Sequence, residues 1–159
     1  MPDASTSVFT HSKSMSLNAD KRYLAFDYGE KRIGVAIGNS LSYTATPLVT
    51  VSNSSGTPDW QQLDELVKTW EPIGLVVGDP ITEDGDTVEI TRQARGFAKR
   101  LGKRYQIPFF LIDERYSSIN ASGIISNQRR AGLRRRTQRG DLDKVAAAIL
   151  MERWFSENG

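Results

Sequence analysis

Acidic residues follow or open apolar segments at four places in the sequence. Asp27 follows "YLAF", Asp79 follows "LVVG" and Glu114 follows "FFLID", while Asp143 stands at the start of the apolar pattern "VAAAIL". Carboxylates and water are the ligands that Mg²⁺ prefers. Two such ions about 4 Å apart can clamp the attacking and leaving oxygens of a phosphodiester. Taken together, the four acids predict a divalent-metal site for phosphodiester chemistry.

Each of the strand-end acids also has a purely structural interpretation. Asp27 beside Gly29 could begin a turn and accept backbone N–H groups. Glu114 could form a surface ion pair with Arg115, which carries little energy. Asp79 before Pro80 could be a turn residue. Read singly, these acids are weak evidence, and the site hypothesis rests on their occurring together.

The last helix carries two acids near its start, and helix capping explains one of them. Asp141 suits the cap position better. Asp143 then lies inside the first turn, next to a face that must pack on the sheet. For Asp143 a functional role is therefore favoured over capping.

The elements that must position these acids indicate an α/β fold. Residues 22–26 and 33–37 are apolar and β-prone, with glycines between them, which predicts a hairpin. A third strand is expected at residues 43–51, followed by Thr57 as an N-cap and Pro58 as the first helical residue. The apolar positions of that helix recur at helical spacing: Trp60, Leu63, Val67 and Trp70.

Two short apolar runs, residues 73–78 and 109–113, are typical of buried parallel strands. A crossover helix is expected between them, weakened by Gly96 at about 1 kcal/mol relative to alanine. A short helix is expected from Ser118 and a last helix from about Asp141. The residues expected to face inward on the last helix are Leu142, Val145, Ala146 and Ile149.

Basic residues are concentrated in one part of the chain. The net charge is +2, but residues 95–139 contain twelve Lys and Arg against two acids, so this segment is basic within an acidic body. Such a segment predicts a phosphate-rich partner. Six arginines directly precede the last helix and are the candidate nucleic-acid contacts: Arg129, Arg130, Arg134, Arg135, Arg136 and Arg139.

Length and composition limit the possible classes of protein. A chain of 159 residues without cysteine fits one domain with a real core and has no thiolate metal site or disulfide framework. No apolar run approaches the roughly 20 residues that span a bilayer, so a cytoplasmic protein without membrane contact is expected. Residues 1–20 predict a flexible tail before a domain at 21–159, and His11 in that tail receives no role.

Four motifs follow one another along the chain: "FDYGEKRIGVAIG", "VVGDPITEDG", "IDERYSS" and "GDLDKVAAAIL". In these motifs and their order the sequence resembles the YqgF family of Holliday-junction-resolvase-like proteins, and the resemblance covers roughly residues 22–155. It implies a ribonuclease H-like fold with a mixed five-stranded sheet flanked by helices. It also implies a metal-dependent nuclease that processes the 5′ end of precursor 16S ribosomal RNA.

The family's acids correspond to Asp27, Glu114 and Asp143, which the resemblance makes the catalytic and metal-binding residues. Mg²⁺ or Mn²⁺ is the expected cofactor. Asp79 is an additional candidate that either orients a ligand or binds the metal itself. The oligomeric state, monomer or dimer, stays open.

The sequence leaves three other functions open. One is a DNA junction resolvase, because backbone-directed basic residues carry no sequence information. A second is a nucleotide-dependent kinase or ATPase, since "DYGEKRIG" also resembles the phosphate loop of the actin and hexokinase family. The length argues against it, because those proteins enclose their nucleotide between two such domains. A third is a non-catalytic nucleic-acid adaptor, which the intact acids at all three positions disfavour.

Overall fold

The computed structural model describes residues 21–54, 56–81, 88–114 and 139–158. Three predictions lie outside these residues: the tail at 1–20, the short helix from Ser118, and the roles of five arginines, which are Arg129, Arg130, Arg134, Arg135 and Arg136. Within the described residues, no helix is both long and apolar enough to cross a bilayer.

The described strands form one mixed sheet. In chain order they are β1 (Arg22–Tyr28), β2 (Arg32–Asn39), β3 (Thr44–Ser54), β4 (Thr57–Pro58), β5 (Gly74–Asp79) and β6 (Phe109–Asp113). Their order across the sheet is β4-β3-β2-β1-β5-β6. The first four strands pair antiparallel, whereas β1, β5 and β6 are parallel. The carboxyl ends of β1, β5 and β6 therefore meet at one edge of the sheet, which is where ligands gather in open α/β sheets.

The sheet has six strands rather than the predicted five, and the difference lies at residues 57–58. Thr57 and Pro58 pair with the end of β3 instead of opening the first helix. Proline is acceptable there because β4 is an edge strand and does not need every N–H. Asp59 caps the helix instead, with its side chain accepting a hydrogen bond from the backbone N–H of Gln62 at 3.3 Å.

In the described part of the chain, three helices cover the two faces of the sheet: α1 (Trp60–Trp70), α2 (Glu89–Tyr105) and α3 (Arg139–Asn158). Alternate residues of each strand point to opposite faces. On one face the buried residues of β1, such as Leu24 and Phe26, pack with α1 and α2. On the other face Ala25 and Ala36 pack against α3. We call these the α1/α2 face and the α3 face.

Helix α3 differs from the prediction in its start and in its buried side. It begins at Arg139, two residues before Asp141, so Asp141 lies in the first turn. Leu142, predicted to face inward, is 38% exposed. Ile149 is buried as predicted, and so are Ala147 and Leu150, which were not predicted to face inward. Successive helical residues are rotated by roughly 100°. The stripe of α3 that packs on the sheet thus lies about one residue further along the helix than predicted. It is on the side of the helix that carries Asp143.

Candidate active site

Asp27 and Asp143 are brought together by a glycine. Asp27 lies near the end of β1, where its partner on β2 is Gly34. A Cβ atom on Gly34 would overlap the backbone carbonyl of Asp143 and would lie 2.7 Å from the backbone nitrogen of Lys144. Helix α3 therefore rests directly on the β-hairpin at this point, and its second turn places Asp143 beside Asp27.

A second glycine makes room for Glu114. Glu114 follows β6, and the neighbouring strand β5 carries Gly78 at the same edge. A Cβ atom on Gly78 would overlap Oε2 of Glu114 and would lie 2.9 Å from Cδ1 of Leu150. The missing side chain thus creates the space that the carboxylate occupies between β5 and α3. Oε2 is buried and has no hydrogen-bond partner among the described residues.

The three acids form one electrostatic unit, which we call the carboxylate cluster (Asp27, Glu114 and Asp143). Burial and, to a smaller extent, the negative charge of Asp143 raise the pKa of Asp27 to about 7. Burial and, to a smaller extent, the charge of Asp27 raise the pKa of Glu114 to about 8. Each of these acids is thus held where its charged form is disfavoured.

Three other charged residues also shift the pKa of Glu114. The charges of Asp79 and Asp113 raise its pKa further, and Arg153 lowers it. Arg153 also donates from Nη1 to the backbone carbonyl of Asp113 at 2.7 Å. Because desolvation and three negative neighbours outweigh one arginine, the net effect on the pKa of Glu114 is upward.

The donor set of the cluster fits a hard divalent cation. In the described ranges, no three acidic or histidine side chains converge closely enough to hold an ion as they stand. However, the cluster offers carboxylate oxygens, which suit Mg²⁺ and Mn²⁺. The buried Oε2 of Glu114 has a free coordination position, and a cation would remove the mutual repulsion. Side-chain rotation within the cluster would be needed to bring the oxygens together.

Asp79 lies at the same edge, but its carboxylate is held by an arginine. Arg95 on α2 donates from Nε and Nη2 to the two oxygens of Asp79, at 2.8 and 2.9 Å. This places the pair on the α1/α2 face. The metal role of Asp79 stays a prediction, and direct ligation would require it to release Arg95.

Arg32 is a component of the site that the acid pattern did not reveal. It opens β2, and its Nε donates to Oδ2 of Asp143 at 2.9 Å. The period-2 alternation of the strand could have revealed it, because Arg32, Gly34 and Ala36 share one face and Gly34 contacts helix α3. Of the six candidate nucleic-acid arginines, Arg139 opens α3 and the others lie outside the described residues.

Comparison with known proteins gives consistent results. The model of the RuvX family, described as Holliday junction resolvase, matches residues 21–157. A relative from Xylella fastidiosa (strain M23), named "Putative pre-16S rRNA nuclease", is 42% identical over 134 residues, which is 84% of this chain and 86% of the relative. A relative of the same name from Xanthomonas campestris pv. campestris (strain 8004) is 41% identical over 141 residues, covering 89% and 91%.

Solved structures of resolvases share the fold. Thermus thermophilus RuvC in complex with a Holliday junction substrate matches with a TM-score of 0.50 at 14% identity, covering 87% of this chain and 96% of RuvC. The yeast mitochondrial Holliday junction resolvase Ydc2 matches with a TM-score of 0.51 at 10% identity, covering 86% and 78%. The predicted ribonuclease H-like α/β fold is thereby confirmed, with one more strand than expected.

Proposed function

Because the chain belongs to the RuvX family, the YqgF family that its motifs resemble, we propose that it is a nuclease that hydrolyses phosphodiester bonds in nucleic acids. The observation that supports this most is the carboxylate cluster. Buried acids that repel one another cost stability. A site that keeps them at the carboxyl ends of parallel strands is suited to binding cations and phosphate.

Asp27, Glu114 and Asp143 would hold Mg²⁺ or Mn²⁺ in this proposal. When bound, the ion would lower the pKa of water and neutralise charge that develops on the phosphate. The protein's contribution is to keep three carboxylates at one edge. Gly34 lets the second turn of α3 pack onto the hairpin, and Gly78 leaves the space for Glu114.

Precursor 16S rRNA, cut at its 5′ end, is the substrate we propose. The names of the Xylella and Xanthomonas relatives support this choice. The six arginines from Arg129 to Arg139 would hold backbone phosphates on either side of the scissile bond, and residues 21–159 would form the nuclease domain behind a tail at 1–20. We propose that the protein works in the cytoplasm, where the rRNA precursor is found.

A DNA four-way junction is the second candidate substrate, and it is favoured by the family description and by the junction bound to Thermus RuvC. An end-labelled cleavage assay separates the two. Precursor rRNA, a four-way junction and single-stranded DNA are offered in parallel with Mg²⁺ or Mn²⁺. We expect cleavage of the rRNA at its 5′ side, whereas junction cleavage alone would favour the resolvase.

A non-catalytic adaptor is the third candidate, and the same assay tests it. Binding of rRNA without cleavage of any substrate across several divalent ions would contradict the nuclease proposal. The matched control is Glu114→Gln, which should bind the same RNA and cleave none.

A further inference from the structure

We propose that Arg32 is a substrate-binding residue whose Nη groups bind a backbone phosphate at the edge of the carboxylate cluster while its Nε holds Asp143. The inference rests on the proposed function and goes beyond it. It identifies Arg32 as the positively charged side chain that lets a nucleic-acid backbone approach the three acids.

The hydrogen bonding of Arg32 leaves most of its donors free. A guanidinium carries five N–H donors in a rigid fork. One of them, on Nε, donates to Oδ2 of Asp143 at 2.9 Å, and the remaining donors have no partner among the described residues. The side chain of Arg32 is 35% exposed. Its Nη groups can therefore meet an incoming ligand without any change in the contact to Asp143.

Arg32 differs in this respect from the other arginines near the strand ends. Arg95 donates hydrogen bonds from two of its nitrogens to Asp79 on the α1/α2 face. Arg153 donates to the carbonyl of Asp113 and lies 3.5 Å from a carboxylate oxygen of Glu157. Arg32 thus combines contact with the cluster, solvent access and unused donors.

The chemistry of the site favours phosphate as the ligand of these donors. A phosphodiester that reaches the cluster meets three carboxyl groups, and a guanidinium beside them can bind its oxygens with two parallel N–H···O bonds. Stability alone does not require this arginine, because ion pairs at this exposure contribute about 0 to 1 kcal/mol. The competing explanation is that Arg32 acts purely to orient Asp143.

A double-mutant cycle separates phosphate binding from orientation. The proteins are wild type, Arg32→Gln, Asp143→Asn and the double variant, all as full chains. Binding to fluorescein-labelled single-stranded RNA is measured in EDTA at several salt concentrations, so that neither cleavage nor bound metal contributes. Arg92→Gln is the control, since Arg92 also pairs with one carboxylate, Glu89, at 2.8 Å, but on the exposed surface of α2.

If Arg32 binds phosphate, Arg32→Gln weakens RNA binding on the order of tenfold in the wild-type and the Asp143→Asn backgrounds alike. The slope of log affinity against log salt then falls by about 0.7, as for one lost phosphate contact. Arg32→Lys keeps the charge and should restore the slope with part of the affinity. Arg92→Gln should change neither quantity.

Two results would overturn the inference, and they can be told apart. If Arg32→Gln has no effect on affinity or slope in the Asp143→Asn background, Arg32 acts through Asp143 and the nuclease proposal is untouched. If wild type binds no RNA and also cleaves neither rRNA nor junction DNA in the assay with Mg²⁺ or Mn²⁺, the proposed function fails and the inference fails with it.

Discussion

The acids on the two faces of the sheet have different neighbours. On the α1/α2 face Asp79 is paired with Arg95, and Asp64 on α1 is paired with Arg104 of α2 at 2.8 Å. On the α3 face Asp143 pairs with Arg32, but the buried Asp27 and Glu114 lie close to other acids. The first arrangement is typical of a surface that stabilises the fold, and the second of a site that needs something else to neutralise it.

The pKa values express the same contrast. Hydrogen bonds from Arg104 and Tyr105 lower the pKa of Asp64 to about 2. Burial and like charge raise the pKa of Asp27 to about 7 and that of Glu114 to about 8. An acid whose charged form is disfavoured destabilises the folded protein at neutral pH. The cluster therefore lowers the stability of the folded protein at neutral pH, and a bound cation would remove this cost.

The largest effect is expected from Glu114→Gln, Asp27→Asn or Asp143→Asn in the cleavage assay. Each removes a carboxylate from the proposed metal site. Since loss of a group that only orients a metal ligand costs 10- to 100-fold, we expect more than about a hundredfold loss of cleavage rate. Asp64→Asn and Asp141→Asn are the controls and should keep cleavage. Equal loss with Asp141→Asn would mean that the wrong acid of α3 was assigned.

The space beside Gly78 should be nearly as important as the acids. In Gly78→Ala the new Cβ would overlap Oε2 of Glu114, so the carboxylate must move and cleavage should fall at least tenfold, as for other changes around a metal ligand. Gly96→Ala is the control, because a Cβ at Gly96 meets no atom within 4 Å. It should keep cleavage and stabilise α2 by about 1 kcal/mol. Normal cleavage by Gly78→Ala would show that Glu114 does not need the space beside Gly78 to act.

Stability should change in opposite directions on the two faces. In EDTA at neutral pH, Asp27→Asn should raise the free energy of unfolding by about 1 to 2 kcal/mol, because it removes a charge that burial and Asp143 disfavour. Asp64→Asn should lower it, because Arg104 loses its partner. Urea denaturation measures both. A loss of stability in Asp27→Asn would show that its carboxylate stabilises the fold.

The smallest expected effect is the acid sensitivity of the α1/α2 face. Because the pKa of Asp64 is lowered from 3.8 to about 2, its contribution to stability is present above pH 4 and is lost as pH falls from about 4 to about 2. The melting temperature of wild type should therefore fall more steeply over this window than that of Asp64→Asn. Parallel melting curves would contradict a stabilising role for the ion pair.

The sequence predicted the elements well where periodicity is strong. The hairpin, both parallel strands and the helix after Asp59 are present because their apolar residues recur at spacings that one structure satisfies. The short strand at Thr57–Pro58 was missed because a threonine followed by proline suits a helix start equally well. The displaced face of α3 was missed because Gly34, which determines how closely the helix approaches, belongs to a distant strand.

The acids of the candidate site could be selected from sequence, but their partners could not. Strand ends and helix starts are local features, so Asp27, Glu114 and Asp143 were named without a structure. Arg32 and Arg95 were not assigned to carboxylates, because both pairs join residues far apart in the chain. The roles of Gly34 and Gly78 likewise depend on which helix or carboxylate lies above them.

The most direct test of the account is metal-dependent stability, measured as the melting temperature of wild type, Glu114→Gln and Asp64→Asn with EDTA or with excess Mn²⁺. If the carboxylate cluster holds the ion, Mn²⁺ at a hundred times its dissociation constant raises the free energy of unfolding of wild type and of Asp64→Asn by about 2.7 kcal/mol. The melting temperatures of both proteins should rise accordingly. Glu114→Gln should then gain little or nothing. An equal gain in all three proteins, or none in wild type, would contradict the claim that these acids form a metal site.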